Sequence, residues 1–200
     1  MTKISVAANT FSILIGSTTL YLTLRDHHTW FILPFLILEL LQIFFLIPIL
    51  PGRAPLQKIA ASPSIIALSF LSVNFWILWN AITLPVQTLP LYQAWGIVSF
   101  IGFVLYVSGF ILSTWGILTL RLSFSVLPEK RKIVHNGPYR FVKHPIYLGY
   151  SLMTIGQSLA SGYAALWVGS VLSSLLFIWR ASNESKVLYS DQVSANILVS

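Results

Sequence analysis

Six apolar runs dominate the sequence and restrict its fold. Four approach or exceed the roughly 20 residues that a helix needs to cross hydrocarbon, and two shorter runs follow. In order they cover Ile4–Leu24, Trp30–Leu50, Ile65–Leu84, Trp95–Leu120, Ile146–Ala160 and Tyr163–Trp179. Only Ser161 and Gly162 separate the last two, which predicts a tight C-terminal helical hairpin. The pattern predicts an all-α, polytopic integral membrane bundle of about six membrane helices, with four spans plus a re-entrant pair as the alternative.

Composition supports a membrane protein and excludes several other classes. Of the 200 residues, 56% are hydrophobic and 8% are charged, whereas a soluble domain carries about a quarter charged residues. The absence of cysteine excludes disulfide frameworks, thiolate zinc sites and cysteine nucleophiles. The net charge of +7 is explained by loops at a membrane surface. We therefore expect contact with membrane lipids, no nucleic-acid partner and no metal.

The distribution of cations predicts the orientation. If all six runs cross the membrane, 11 of the 12 Lys and Arg residues fall on one side and only Arg25 falls on the other. The first group comprises Lys3, Arg53, Lys58, Arg121, Lys130, Arg131, Lys132, Arg140, Lys143, Arg180 and Lys186. Because positively charged loops stay in the cytoplasm, both termini and the 121–145 segment are predicted to be cytoplasmic.

A long polar segment divides the chain into two predicted parts. Residues 1–120 would form a four-span N-terminal bundle, and residues 121–200 a strap followed by the hairpin. Residues 121–149 contain four helix-breaking positions: Pro128, Gly137, Pro138 and Pro145. This segment cannot be one continuous helix. Attraction of a basic loop to anionic lipid would explain its cations, but not the turn and helix start at its end.

Two features inside the predicted spans bear on packing. Gly102, Gly109 and Gly116 recur every seven residues, so one face of that helix should let a neighbour approach closely. Glu39 lies in the middle of the second run. It is either a proton or cation site or a carboxylic acid hydrogen-bonded to a neighbouring helix, with Asn74 or Asn80 as the partner.

Four chemically active side chains are predicted to meet at the cytoplasmic end of the hairpin. His144 precedes Pro145 at the start of the fifth helix, where proline is favoured, and Tyr147 follows within one turn. Arg180 and Glu184 are four residues apart, on one helical face. In an antiparallel hairpin the start of one helix lies beside the end of the other. The four side chains should therefore share a pocket, at a helix start that favours a carboxylate; a plain surface ion pair is the alternative.

These residues carry a family resemblance. The sequences GPYR and HPIY, preceded by KIV and followed some thirty residues later by Arg-x-x-x-Glu, resemble the catalytic region of the isoprenylcysteine carboxyl methyltransferase family and its phospholipid methyltransferase relatives. The resemblance covers about residues 121–191. It departs from the family at Lys143, where arginine is usual, and at Ser185, where a second glutamate is common.

The resemblance implies a cofactor, S-adenosyl-L-methionine, and a role for each matching residue. Arg180 would face the methyl acceptor and is the implied catalytic residue, and Glu184 would accept hydrogen bonds from the cofactor. The implied cofactor-binding residues are Arg131, Lys132, Ile133, Val134, Tyr139, His144, Pro145, Ile146, Tyr147 and Glu184.

The sequence leaves the methyl acceptor open. A carboxylate needs no general base, which favours a small lipophilic or prenyl-linked carboxylate delivered from the bilayer. A phospholipid amine would need a base. A catalytically inactive membrane module of the same fold and a small transporter that uses Glu39 are the other hypotheses.

Overall fold

The computed structural model of the chain describes residues 63–83, 91, 96–120 and 134–197. Within these ranges all regular structure is helical, which confirms the all-α prediction for this part of the chain. The helices are α1 (Pro63–Thr83), α2 (Ile97–Leu120), α3 (Pro145–Ser161) and α4 (Ala164–Ile197), with a 3-10 turn at Gly137–Arg140 before α3. The first two predicted spans, with Glu39, lie outside the described residues. The predicted total of six membrane helices therefore stays a prediction.

Two of these helices are long and apolar enough to cross a membrane: α2, and α4 over Ala164–Lys186. The bounds of α1, α2 and α3 agree with the predicted runs to within two residues. The predicted apolar run of the last helix ended at Trp179, and the helix was expected to continue as far as Glu184. No proline follows that point, so the helix continues through the polar residues to Ile197.

Glycines bring the backbones of α2 and α3 into direct contact. A Cβ atom at Gly109 would lie 2.5 Å from the carbonyl oxygen of Gly149, and one at Gly156 would lie 2.5 Å from the backbone nitrogen of Tyr106. A Cβ atom at Gly102 would likewise collide with the backbone nitrogen of Ala160. The predicted glycine face is confirmed as a close helix contact, and its neighbour is α3.

Side-chain hydrogen bonds tie α1 to the other helices. Trp76 donates from Nε1 to Oε1 of Gln157 in α3 at 3.0 Å, and the Gln157 amide donates to Oδ1 of Asn80 at 3.2 Å. Trp79 donates from Nε1 to the carbonyl oxygen of Ala165 in α4 at 2.8 Å. Asn80, one expected partner of Glu39, is therefore engaged with α3. Such bonds are the main polar attachment between helices in an apolar environment.

The connection between α3 and α4 is short because Gly162 adopts a left-handed conformation, with φ of 73°. Its N–H caps α3 by donating to the carbonyl oxygen of Ser158 at 2.9 Å, as expected of a helix-ending glycine. The Ser158 hydroxyl in turn lies 2.9 Å from the carbonyl oxygen of Leu166 in the first turn of α4. This connection places the start of α3 beside the later turns of α4, where the candidate site lies.

Candidate active site

The segment that leads into α3 is folded against α2. Gly137 takes a left-handed conformation, with φ of 60°, and a Cβ atom there would lie 2.6 Å from Oγ1 of Thr119. Pro138 is buried in the 3-10 turn that follows. The chain then reaches His144, the residue that caps α3, with Pro145 as the first helical residue. The described part of the 121–149 segment is thus not one continuous helix, in agreement with the prediction.

Tyr147 joins Arg180 and Glu184 through its phenol oxygen. Arg180 donates from Nε to this oxygen at 2.9 Å. Since a guanidinium can only donate, the phenol must direct its own proton elsewhere, and Oε2 of Glu184 accepts it at 2.5 Å. Arg180 also lies over the ring of Tyr147, with Cζ 5.3 Å from the ring centroid. Tyr147 is therefore the bridge between Arg180 and Glu184 of α4.

Burial strengthens these contacts. Arg180 is 5% exposed and Glu184 is 8% exposed, so solvent does not screen them as it would a surface pair. An unpaired charge would be costly in such a position. The ring of Tyr147 is held by His144 on one side and Phe177 on another, with centroids 5.8 and 6.4 Å away. The neighbouring rings therefore fix the orientation of the Tyr147 side chain.

His144 contacts the residue that departs from the family pattern. Its Nε2 lies 2.8 Å from Oγ of Ser185, and the same hydroxyl donates to the carbonyl oxygen of Ala181 at 2.9 Å. A serine hydroxyl has one proton and two lone pairs, so it can contact the imidazole and the carbonyl oxygen at the same time. Ser185 thus holds the imidazole in one orientation.

A third helix reaches the cluster from outside the motif region. The NH1 nitrogen of Arg180 donates to the carbonyl oxygen of Ser69 at 2.8 Å and to Oγ of Ser72 at 3.2 Å. Both serines are buried in α1. Neither serine was among the predicted site residues; the signal that could have predicted them is a pair of small polar residues three apart in a largely apolar helix, which is typical of helix contacts in membranes.

The other predicted site residues fall into two groups, one beside the cluster and one outside the described residues. Val134, Tyr139 and Tyr147 pack against an apolar cluster formed by Ile117, Leu120 and Ile146, and Pro145 is buried at the start of α3. Arg131, Lys132 and Ile133 lie outside the described residues. The structure therefore brings His144, Tyr147, Arg180 and Glu184 together, with Val134, Tyr139, Pro145 and Ile146 adjoining them.

The donor set fits the polar end of S-adenosylmethionine. Glu184 supplies a buried carboxylate suited to an ammonium or to ribose hydroxyls, and the N-terminus of α3 favours a carboxylate. The His144 side chain makes no capping hydrogen bond to α3, because its Nε2 faces Ser185. Glu184 and the N-terminus of α3 thus offer neighbouring sites for the ammonium and the carboxylate of the methionine part of the cofactor.

Residues 97–190, just under half of the chain, match the sequence profile of the phospholipid methyltransferase family. The match confirms the family resemblance recognised in the sequence and makes this part of the chain similar to phospholipid methyltransferases. No curated protein and no solved structure shows significant similarity to the chain. The family region includes α2, the 3-10 turn, α3 and most of α4, and therefore the whole His144–Tyr147–Arg180–Glu184 cluster, whereas α1 precedes it.

Proposed function

We propose that the protein is an integral membrane S-adenosylmethionine-dependent methyltransferase that acts on a small lipophilic or prenyl-linked carboxylate. The observation that carries the proposal is the Arg180–Tyr147–Glu184 bridge, which couples a buried cation to a buried carboxylate inside the family region. In the proposed topology both termini and this site face the cytoplasm, as the distribution of cations indicates.

In the proposed site each side of the bridge has its own ligand. When bound, S-adenosylmethionine supplies an electrophilic methyl group on a sulfonium. Glu184 accepts hydrogen bonds from its ammonium or ribose, while His144, Pro145, Ile146 and Tyr147 form the wall beside it. Val134 and Tyr139 extend that wall, and Arg131, Lys132 and Ile133 of the preceding strap complete the proposed cofactor site.

Arg180 orients the acceptor. An ionised carboxylate is already a nucleophile, so the protein contributes orientation and exclusion of water rather than proton removal. The described bonds support this preference: Oε2 of Glu184 accepts a hydrogen bond from Tyr147, and Nε2 of His144 is hydrogen-bonded to the hydroxyl of Ser185. Both candidate bases are thus engaged within the protein.

A second candidate is methylation of a phospholipid amine, which the description of the matching family favours. An amine must lose its proton before it can attack, and Glu184 would have to receive that proton. That reaction requires the Tyr147–Glu184 bond to open during the cycle. The two candidates therefore differ in what Glu184 must do: with a carboxylate acceptor it keeps its bond to Tyr147, and with an amine acceptor it must take up a proton.

Purified protein in detergent, given S-adenosylmethionine with a tritiated methyl group, tests the proposal. Cofactor affinity and label transfer are measured with two acceptors, an S-farnesyl cysteine carboxylate and phosphatidylethanolamine in mixed micelles. We expect binding and transfer to the carboxylate. Transfer to the phospholipid alone would establish the second candidate, and binding without transfer to either would indicate an inactive module.

Two variants assign the two ends of the bridge. Glu184→Gln should weaken cofactor binding at least about tenfold, since one charge-assisted hydrogen bond is lost. Arg180→Lys keeps the buried charge but loses the planar fork, so it should leave cofactor affinity within about twofold while transfer falls about a hundredfold. Equal effects of both variants on cofactor affinity would contradict these separate roles.

A further inference from the structure

The side chain of Arg180 is oriented by a helix that lies outside the family region. Its NH1 group points at α1, where it donates both to the carbonyl oxygen of Ser69 and to Oγ of Ser72. Its Nε group points at Tyr147 in α3. Arg180 thus joins three helices, although only α3 and α4 belong to the matched residues 97–190.

The direction of each hydrogen bond in this contact is determined. Ser72 donates its only proton to the carbonyl oxygen of Ser69 at 2.8 Å. Its oxygen must therefore act as the acceptor for Arg180, which has only donors. Ser72 is fully buried, with 0% exposure, so no water competes for this lone pair. The hydroxyl is set in place by its own helix before it meets the guanidinium.

Three acceptors on two helices fix the plane of the guanidinium. Rotation about the last bonds of Arg180 would break the contact with Tyr147, Ser69 or Ser72, because the five N–H groups lie in one rigid plane. The carbonyl oxygen of Ser69 and the phenol oxygen of Tyr147 define two directions, and Ser72 supplies the third. Without Ser72, the contacts with the carbonyl oxygen of Ser69 and with Tyr147 remain. The guanidinium plane can then tilt about the line that joins Nε and NH1.

We propose that Ser72 is a positioning residue for methyl transfer: it sets the plane in which Arg180 presents its guanidinium to the acceptor, so that α1 completes the active site. The proposal rests on the proposed function, since it assumes that Arg180 orients the acceptor. The proposal predicts different effects of Ser72 on the two substrates of the reaction. Ser72 should affect the acceptor, whereas the cofactor is held by α3, α4 and the strap.

The test compares Ser72→Ala, Ser72→Thr, Arg180→Lys and the double variant Ser72→Ala/Arg180→Lys. Ser170→Ala is the matched control, since it removes another buried serine hydroxyl, and the hydrogen bond that this hydroxyl makes among the described residues is within its own helix, to the carbonyl oxygen of Trp167. For each protein we would measure the affinity for S-adenosylmethionine and the kcat/KM for the acceptor that the wild type methylates.

Ser72→Ala should lower kcat/KM for the acceptor about tenfold, the lower end for a hydrogen bond to a charged group, with cofactor affinity within twofold of wild type. Ser72→Thr, which keeps the hydroxyl, should restore most of the loss. In the Arg180→Lys background, Ser72→Ala should change the rate less than twofold, because the group through which it acts is gone.

Three results would overturn the inference alone: a Ser72→Ala variant as active as wild type, an equal loss in Ser170→Ala, or effects of Ser72→Ala and Arg180→Lys that multiply. A loss of cofactor affinity in Ser72→Ala equal to its loss of kcat/KM would also overturn it, as this indicates general loosening of the fold. A wild type that transfers no label overturns the proposed function and this inference together.

Discussion

Replacing Tyr147 by phenylalanine removes one oxygen atom and tests the energetic basis of the site. The phenol oxygen accepts from Nε of Arg180 and donates to Oε2 of Glu184. The ring remains, and with it the stacking on His144 and Phe177. The change therefore isolates the bridge between the two charges from the packing around it.

The expected loss follows from what the hydroxyl leaves behind. Each of its hydrogen bonds has a charged partner, and such bonds contribute about 1.5–3 kcal/mol. The two contributions do not add, because they share one atom and the released groups can approach each other. Arg180 also keeps its bonds to Ser69 and Ser72. We expect the free energy of unfolding to fall by about 2–3 kcal/mol.

Unfolding in mixed micelles, followed by tryptophan fluorescence, measures this loss. Tyr163→Phe is the control, since it removes a tyrosine hydroxyl at the opposite end of α3, beside the connection to α4. It should change the free energy of unfolding by less than about 0.5 kcal/mol. If Tyr147→Phe lowered the free energy of unfolding as little as Tyr163→Phe does, the phenol bridge would contribute nothing measurable to stability. The buried pair of Arg180 and Glu184 would then not depend on the phenol oxygen.

Two further predictions concern the helices and their orientation. Gly156→Ala should destabilise the protein by at least about 1–3 kcal/mol in the same unfolding assay, because the added Cβ would lie 2.5 Å from the backbone nitrogen of Tyr106; an unchanged stability would contradict the direct contact of the two backbones. Reporter fusions after Arg25 and at Ser200 should report opposite sides of the membrane, and the same side for both would exclude the six-span arrangement.

The helices could be predicted from the sequence because length and apolar character determine them directly. The two ends of α3 could also be predicted. Proline is favoured at the first helical position, and Gly162 can end the helix in a left-handed conformation. The sequence also predicted the meeting of Tyr147 and Glu184, because a two-residue connection leaves little freedom in how the two helices pair. Local rules were sufficient for these features.

The contacts of Arg180 with α1 could not be predicted in the same way. They join residues more than a hundred positions apart, and neither helix length nor apolar periodicity specifies which face of α1 meets α4. The continuation of α4 beyond Glu184 to Ile197 was not predicted for another reason: the end of an apolar run marks where lipid contact ends, and a helix continues until its backbone is interrupted. The role of Ser185 as a partner of His144 depends on side-chain geometry, which the motif alone does not contain.

The length of α4 sets the depth of the proposed site in the membrane. Glu184 stands twenty residues after Ala164, which corresponds to about 30 Å along a helix, close to the thickness of the hydrocarbon layer. With the apolar part of α4 placed across the membrane, the carboxylate is level with the lipid headgroups and Arg180 lies about one turn deeper. An amphiphilic acceptor at this level can keep its hydrocarbon chain in the bilayer throughout the reaction. A bilayer thicker or thinner by a few Å would move the polar end of such an acceptor away from Arg180, so the rate would depend on the thickness of the surrounding membrane.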